Sequence, residues 1–432
     1  MQNGKRTLLW VGDACVSTGF AKATHHTLDV LRKYYNIVVL GMNYNGDPHG
    51  YPYPIFPARV GGSWDGAARL AEIVRSCEID LIVLQNDVWN IPPYITALRK
   101  ARLYDQPVIA ALAVDGPNVQ AKDLDEVALS IFWTKFAAEA AAKGGWKGPT
   151  AIVPLGVDLD IFKLADLQDV PKLRAHARSL FASHPDASID IEAVRNGFIV
   201  GAVNRNQQRK RLDLLVAYFC DWVRTFNVKD AYLYIHAAPT GEQSYDIEQL
   251  MEFFGCKDRL LLVYPEHRQG DPEAQLAWTY RAMDIMATTT QGEGFGLTTF
   301  EAQACGIPCI APRWSALGEL GADSMFLVEC TSIAVTPNKI NAIGGVPDQK
   351  QFVRGLDQLY RSRALREALA AKGLAQVRSS QYRWENVGEA FANAIREAKL
   401  FPEDTVSTPG TPEEREAFWT DFQEREAPEA KA

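Results

Sequence analysis

The sequence lacks the residue spacings that mark metal sites and disulfide frameworks. Its seven cysteines are odd in number, dispersed along 432 residues, and never form a CxxC pair. Its seven histidines never adopt the HxxxH or HExxH spacing of metal ligands, and no Asp-x-Asp pair follows a strand-like run. We therefore expect no bound metal and no disulfides, and the free thiols favour a reducing compartment.

Long apolar runs and several catalytic motifs are also missing. The first apolar run, 8–11, stops at Gly12 and is too short for a signal peptide or a membrane span. The loop after it contains neither a P-loop nor GxGxxG, and the chain has no GxSxG nucleophile elbow. The sequence therefore predicts a soluble, cytoplasmic protein without the parts of a serine hydrolase or an N-terminal dinucleotide site.

Short apolar runs alternate with helix-like stretches in two series. The predicted strands are 8–11, 37–40, 81–84, 108–112 and 151–154 in the first series, and 198–201, 231–235, 260–263, 285–287, 307–310 and 325–328 in the second. Such alternation is typical of right-handed βαβ units with helices on both faces of a parallel sheet. We predict an α/β protein with two doubly wound, Rossmann-like domains that face a central cleft.

This pattern divides the chain into five segments. The predicted segments are a first domain 1–170, an inter-domain helical segment 171–194, a second domain 195–381, a helix 382–400 that packs back toward the first domain, and an acidic, partly helical or mobile tail 401–432.

The stretch TTTQGEGFGLTTFE, which starts at Thr288, combines a glycine loop with the start of a helix. Free amides at a helix N-terminus bind anions, and glycine lets a phosphate approach the backbone. Two carboxylates, Glu293 and Glu301, flank this loop. A carboxylate repels a neighbouring anion, so a carboxylate here is better suited to bind sugar hydroxyls than a phosphate. An alternative stays open for Glu301, because Thr298-x-x-Glu301 is also a capping box.

A basic run, NRNQQRKR, follows the predicted strand 198–201. Arg205 and Lys210 lie five positions apart in it and could bind a diphosphate in the cleft. A solvated basic loop or a nucleic-acid patch remains the alternative.

Two positions in the first domain are weaker candidates. Gly19 begins a predicted helix and would let a phosphate or a sugar approach. Asp115 follows the predicted strand 108–112, where it could orient sugar hydroxyls or shape the Asp-Gly-Pro turn.

Together these motifs resemble the retaining GT-B glycosyltransferases of the GT4 type. Glu293 and Glu301 resemble the EX7E signature of that family, Arg205 with Lys210 resembles its donor-phosphate pair, and Gly156-Val-Asp158 with Phe162 resembles its GVD…F segment. The resemblance extends over residues 8–398 and is strongest in the second half.

The resemblance implies roles for these residues. Arg205 and Lys210 would neutralise the diphosphate of a nucleotide sugar, Glu301 would bind the ribose, and Glu293 would bind the transferred sugar. Further donor contacts would come from the other domain and from backbone groups, at Gly19, Phe295, Gly296, Leu297 and Thr298.

The sequence departs from the family pattern in two places. The N-terminal loop has one glycine where many relatives have two, and Val114-Asp115-Gly116 stands where many have a histidine. The implied catalytic set is Glu293, Arg205, Lys210 and Asp115.

The implied activity is retaining transfer from a UDP- or GDP-sugar to a hydroxyl, without metal or cofactor. The acceptor is open and could be a glycan, a lipid, a small molecule or a modified base in DNA, although the net charge of −8 disfavours wholesale nucleic-acid binding. The oligomeric state is also open, and the alternative function is a non-catalytic nucleotide-sugar-binding protein.

Overall fold

The structure is a computed structural model that describes residues 5–164, 191–237, 244–263, 272–336 and 342–401. Most of the predicted inter-domain segment 171–194 lies outside the described residues, as does the predicted tail 401–432 after its first residue.

The first domain is built on a parallel sheet of seven strands in the order β3-β2-β1-β4-β5-β6-β7. Its strands are β1 Thr7–Asp13, β2 Asn36–Met42, β3 Ile55–Pro57, β4 Leu81–Asp87, β5 Val108–Ala113, β6 Leu129–Phe132 and β7 Thr150–Ile152. The helices between them are α1 Gly19–Leu31, α2 Leu70–Ser76, α3 Pro92–Lys100 and α4 Lys135–Lys143.

The second domain contains a parallel sheet of six strands in the order β10-β9-β8-β11-β12-β13. Its strands are β8 Phe198–Val203, β9 Ala231–His236, β10 Leu260–Val263, β11 Ile285–Ala287, β12 Cys309–Pro312 and β13 Phe326–Val328, followed by the antiparallel pair β14 Cys330–Thr336 and β15 Ala342–Pro347. The helices are α5 Ile191–Asn196, α6 Leu212–Thr225, α7 Ile247–Phe253, α8 Glu273–Ala282, α9 Leu297–Ala304, α10 Ser315–Leu320, α11 Gln349–Arg361, α12 Arg363–Val377 and α13 Trp384–Glu397.

The strands read as continuous apolar runs because both faces of each sheet are covered. In β1, Leu8 and Trp10 belong to the core on one face, whereas Leu9 and Val11 belong to the core on the other. Every predicted strand overlaps an observed one, so the two-domain α/β prediction is confirmed.

The sequence did not reveal β3, β6 or the β14–β15 pair. β3 has three residues and ends on a proline, and in β6 the polar Ser130 interrupts the apolar run. Helix α2 begins at Leu70, directly after a short 3₁₀ turn, Ala67–Arg69.

The last described helix, α13, packs on the first domain. Trp384 stacks on His26 with ring centroids 4.6 Å apart, and Phe391 lies 5.4 Å from Trp10. A side chain at Gly388 would collide with Val30, because its Cβ would lie 2.4 Å from the Val30 Cβ. Helix α13 therefore packs against the first domain, although it follows the second domain in the sequence.

The two domains also meet directly. The Glu319 carboxylate of α10 accepts hydrogen bonds from the backbone amides of Lys135 and Phe136, at the start of α4, at 3.2 and 2.7 Å. The Asn118 side chain of the first domain accepts a bond from the amide of Ile343, in β15, at 3.0 Å. Within the described ranges, no helix is both long enough and apolar enough to cross a bilayer.

Replacing Phe391 with alanine should lower the free energy of unfolding by about 3 kcal/mol, because the ring is 4% exposed and fills the space between α13 and the first sheet. Urea unfolding of the full chain measures the loss. Phe253→Ala is the matched control, since that ring is 81% exposed. Equal losses in the two variants would contradict the packing role of α13.

Candidate functional site

Three carboxylates lie in a row at the carboxyl edge of the first sheet. Asp13 ends β1, Asp87 ends β4, and Asp115 follows β5 by two residues. These three strands are neighbours in the sheet, so their ends lie side by side. Asp13 accepts hydrogen bonds from the Thr18 hydroxyl at 2.8 Å and from the Asn43 amide at 3.2 Å, which fixes its orientation.

The basic run that follows β8 faces this row from the second domain. The Lys210 Nζ lies 2.5 Å from the Glu293 Oε1. Arg209 reaches across the cleft, with its guanidinium 3.5 Å from Glu293 and 3.4 Å from Asp115, and it donates to the Gly292 carbonyl at 2.9 Å. Arg209 therefore links the two domains through one ion-pair network, which we call the cleft network and define as Asp115, Arg209, Lys210 and Glu293.

Burial and mutual charge shift the pKa values in this network. Burial, together with the Arg209 charge, lowers the pKa of Lys210 to about 8, against the opposing effect of Glu293. Burial raises the pKa of Asp115, and Arg209 counteracts the rise. Burial would also raise the pKa of Glu293, but Lys210 and Arg209 outweigh it and hold that pKa below its usual value. Glu293 is therefore an ionised carboxylate at neutral pH.

The pKa of Asp87, which lies beside the cleft network, is also shifted. Burial and the nearby Asp115 charge raise its pKa to about 7, despite the arginines 209 and 205. The carboxyl of Asp87 thus changes protonation state near neutral pH.

The glycine loop leads into α9, as the sequence predicted. The helix begins at Leu297 with Gly296 as its N-cap, at φ 94°, and a Cβ there would lie 2.6 Å from Leu317. Among the described residues, no side chain caps the first amides of α9, and uncapped amides at a helix start can bind an anion. Gly19 lies against this turn, because a Cβ there would be 3.2 Å from the Leu297 Cδ1.

The capping-box alternative for Glu301 is wrong. Since α9 begins at Leu297, Thr298 lies inside the helix and is not its N-cap. The Glu301 carboxylate instead accepts hydrogen bonds from Lys22 of α1 at 2.5 Å and from the Tyr280 hydroxyl at 2.7 Å, and the residue is only 4% exposed. Glu301 is a buried carboxylate held by side chains from both domains.

The structure brings most of the predicted site residues to one cleft. Arg205 is exposed at its rim, within electrostatic range of Asp13 and Asp87. The Phe295 ring is buried against Phe300, with centroids 4.8 Å apart, which leaves only the backbone of Phe295 for a ligand.

Sequence reasoning missed five residues that take part in these contacts: Asp13, Lys22, Asp87, Arg209 and Tyr280. Asp13 and Asp87 could have been found as the last residues of adjacent strands, and Arg209 as the neighbour of Lys210. Across the described part of the chain, no group of three or more His, Cys, Asp or Glu is placed to hold a metal ion.

The sequence matches a known family over residues 165–391, which is just over half of the chain. That family is described as "Family 4 Glycosyltransferase in conflict systems". The chain belongs to this family. The match includes the glycine loop and both glutamates, so the recognition as a GT4-type glycosyltransferase is confirmed.

Curated relatives carry the name D-inositol 3-phosphate glycosyltransferase. The protein of Segniliparus rotundus is 29% identical over 205 residues, which are 45% of this chain and 41% of that protein. The protein of Geodermatophilus obscurus is 27% identical over 348 residues, which are 76% of this chain and 66% of that protein. The match thus covers less than two thirds of the length of either relative.

Solved structures have a similar fold over most of this family-4 chain. Sucrose-phosphate synthase from Thermosynechococcus elongatus superposes with a TM-score of 0.67 at 16% identity, covering 91% of this chain and 99% of that chain. Anabaena HepE in complex with UDP and glucose gives 0.65 at 18% identity, covering 91% and 100%. At such identities the likeness concerns the fold, and the expected GT-B fold is confirmed.

Replacing Asp87 with asparagine should stabilise the family-4 chain at pH 8 by about 1–3 kcal/mol relative to the wild type. The pKa of Asp87 is 3.8 in the unfolded chain and about 7 in the folded one. Ionising this carboxyl therefore costs stability as the pH rises through that range. The gain should therefore shrink between pH 7 and pH 4.5, and urea unfolding at both ends of this range measures it.

Asp105→Asn, at an exposed aspartate, is the matched control. A stability gain for Asp87→Asn that does not change with pH would show that the pKa of this carboxyl is not raised on folding.

Proposed function

We propose that this protein transfers a hexosyl group from a nucleotide diphosphate sugar to a hydroxyl acceptor, with retention of configuration and without a metal ion. The observation that carries the proposal is the cleft network, in which Lys210, Arg209, Glu293 and Asp115 meet beside the uncapped start of α9. Membership of a glycosyltransferase family supports it.

The cations would act on the leaving group. Breaking the bond between the anomeric carbon and the diphosphate oxygen places negative charge on the diphosphate, and fixed cations and helix-end amides lower that barrier most. Lys210 is buried beside α9, and Arg205 lies at the rim where a diphosphate would enter. A bound diphosphate would also raise the pKa of Lys210 and keep its ammonium charged.

The carboxylates would act on the sugars. Glu293 is ionised and oriented by Lys210 and Arg209, so it can accept hydrogen bonds from hydroxyls of the transferred sugar. Asp115, held by Arg209 from the opposite domain, can contact the same sugar. We propose front-face attack, in which the acceptor approaches the face that the diphosphate leaves and a diphosphate oxygen takes the acceptor proton. This route gives retention without a strong general base on the protein.

The proposed donor is a UDP- or GDP-sugar. Because Anabaena HepE was solved in complex with UDP-glucose, UDP-sugars are the first donors to test. The acceptor stays open. The contacts do not favour DNA, because Arg209, Lys210 and Arg211 of the basic run all pair with carboxylates. All seven cysteines are free thiols, which supports a reducing compartment for the reaction.

Lys210→Ala should reduce donor turnover by about 10²–10³-fold, because the leaving diphosphate loses a buried cation. The measurement is release of the nucleoside diphosphate from UDP- and GDP-sugars by slow hydrolysis, with thermal stability recorded in parallel. Lys229→Ala, at an exposed lysine of the same domain, should leave turnover unchanged.

The outcomes separate the alternatives. Unchanged turnover in Lys210→Ala would refute the phosphate role. A wild type that binds donors tightly but never releases the diphosphate would favour the non-catalytic binding protein.

Chelation tests metal independence separately. Turnover by the wild type should be unchanged within about twofold in excess EDTA, since protein cations and α9 amides supply the charge that a divalent ion supplies elsewhere. Loss of activity in EDTA, with recovery on adding Mg²⁺ or Mn²⁺, would contradict this mechanism.

A further inference from the structure

Lys22 of the first domain inserts its ammonium between two carboxylates of the second. Its Nζ lies 2.5 Å from the Glu301 Oε1 and 3.0 Å from the Glu273 Oε1, and its side chain is 23% exposed. The ammonium also lies 5.2 Å from the centre of the Phe162 ring. Lys22 is on α1, three residues after Gly19, so both face the second domain from the same turn of helix.

The other oxygen of Glu301 is held from within its own domain. The Tyr280 hydroxyl donates to the Glu301 Oε2 at 2.7 Å, and the tyrosine is fully buried. A carboxylate has about four lone-pair directions, so these two donors fix its plane and leave about two directions for further donors. Vicinal ribose hydroxyls are donors of the right kind.

The Lys22 ammonium is the cation that pairs with Glu301. Burial alone would lower the pKa of Lys22, but Glu301 and Glu273 outweigh that effect and raise it, so the ammonium stays charged. A carboxylate that is 4% exposed is costly to ionise without a paired cation. Among the ion pairs of the described residues, Lys22 supplies that cation to Glu301.

We propose that Lys22 is a positioning residue for donor recognition. It orients the Glu301 carboxylate from the opposite domain, so that the remaining lone pairs accept hydrogen bonds from the ribose hydroxyls. This inference rests on the proposed function and on the ribose-binding role that the family resemblance implies for Glu301. Because Lys22 and Glu301 belong to different domains, ribose binding and the domain contact are thermodynamically coupled.

The structure offers a matched control in Lys33. Lys33 also pairs with two glutamates of a distant element, Glu389 at 3.4 Å and Glu385 at 3.7 Å. These glutamates lie at the start of α13, away from the cleft network. Lys33→Met therefore removes a comparable double ion pair without touching Glu301.

The experiment measures dissociation constants by calorimetry for UDP, GDP and ADP and for their 2′-deoxy counterparts. The proteins are the full-length wild type, Lys22→Met, Glu301→Gln and Lys33→Met. Lys22→Gln, which keeps an N–H donor but no charge, replaces Lys22→Met if that variant does not fold. The preference for the ribonucleotide over its 2′-deoxy form isolates ribose recognition from diphosphate binding.

We expect the wild type and Lys33→Met to prefer the ribonucleotide by about tenfold or more, as for a hydrogen bond to a charged group. Lys22→Met and Glu301→Gln should both lose most of that preference, while affinity for the 2′-deoxy form changes by less than about threefold. Loss of the preference in both variants, with Lys33→Met unchanged, supports the inference.

The remaining outcomes overturn one claim or both. Equal weakening of both nucleotides in Lys22→Met would make Lys22 a purely structural bridge, and tighter ribonucleotide binding would make it a competitor of the ribose. A preference kept in Lys22→Met but lost in Glu301→Gln refutes the inference and leaves the ribose role standing. A preference kept in Glu301→Gln, or no binding of any nucleotide to the wild type, refutes the ribose role of Glu301 and the inference with it.

Discussion

The ion pairs of Arg209 with Asp115 and Glu293 are the interaction on which the cleft depends. One guanidinium joins the end of β5 in the first domain to the glycine loop of the second. Partly buried charges are costly unless each has a partner. Asp115 has Arg209 as its partner, whereas Glu293 shares Arg209 with Lys210. The position of the two sheets and the charge state of the site are therefore set together.

The same network explains how a site with so many carboxylates can accept a diphosphate. Without a donor, the Lys210 ammonium pairs with Glu293. Burial disfavours the charged ammonium and lowers the pKa of Lys210 to about 8. An incoming diphosphate can take over Lys210, because Glu293 still has Arg209 as a second cation. In the proposed reaction, this exchange of partners would keep every charge paired and leave Glu293 to accept hydrogen bonds from the sugar hydroxyls.

The sequence predicted the parts of this site that topology alone places. Asp115, Arg205 and Lys210 follow buried strands, and the carboxyl ends of parallel strands meet at one edge. It could not predict the partners that depend on how the domains meet, since Lys22 and Glu301 are 279 positions apart. The capping-box alternative failed for a local reason, because Gly296 takes a positive φ and starts the helix earlier than Thr298 would. The strands β3 and β6 were missed because Pro57 ends the first and Ser130 interrupts the apolar run of the second.

The two glutamates of the loop–helix motif thus differ in what neutralises them. Glu293 precedes α9 and pairs with Lys210 and Arg209 of its own domain, so its charge does not wait for the other domain. Glu301 lies one turn inside α9 and depends on Lys22 from across the interface. A donor that spans both glutamates would contact Glu293 at its sugar end and Glu301 at its ribose end. The first is oriented by cations of its own domain, and the second by a cation of the other domain. Since only the second requires the domains to be in contact, recognition of the nucleoside is the step that can be coupled to closure of the cleft.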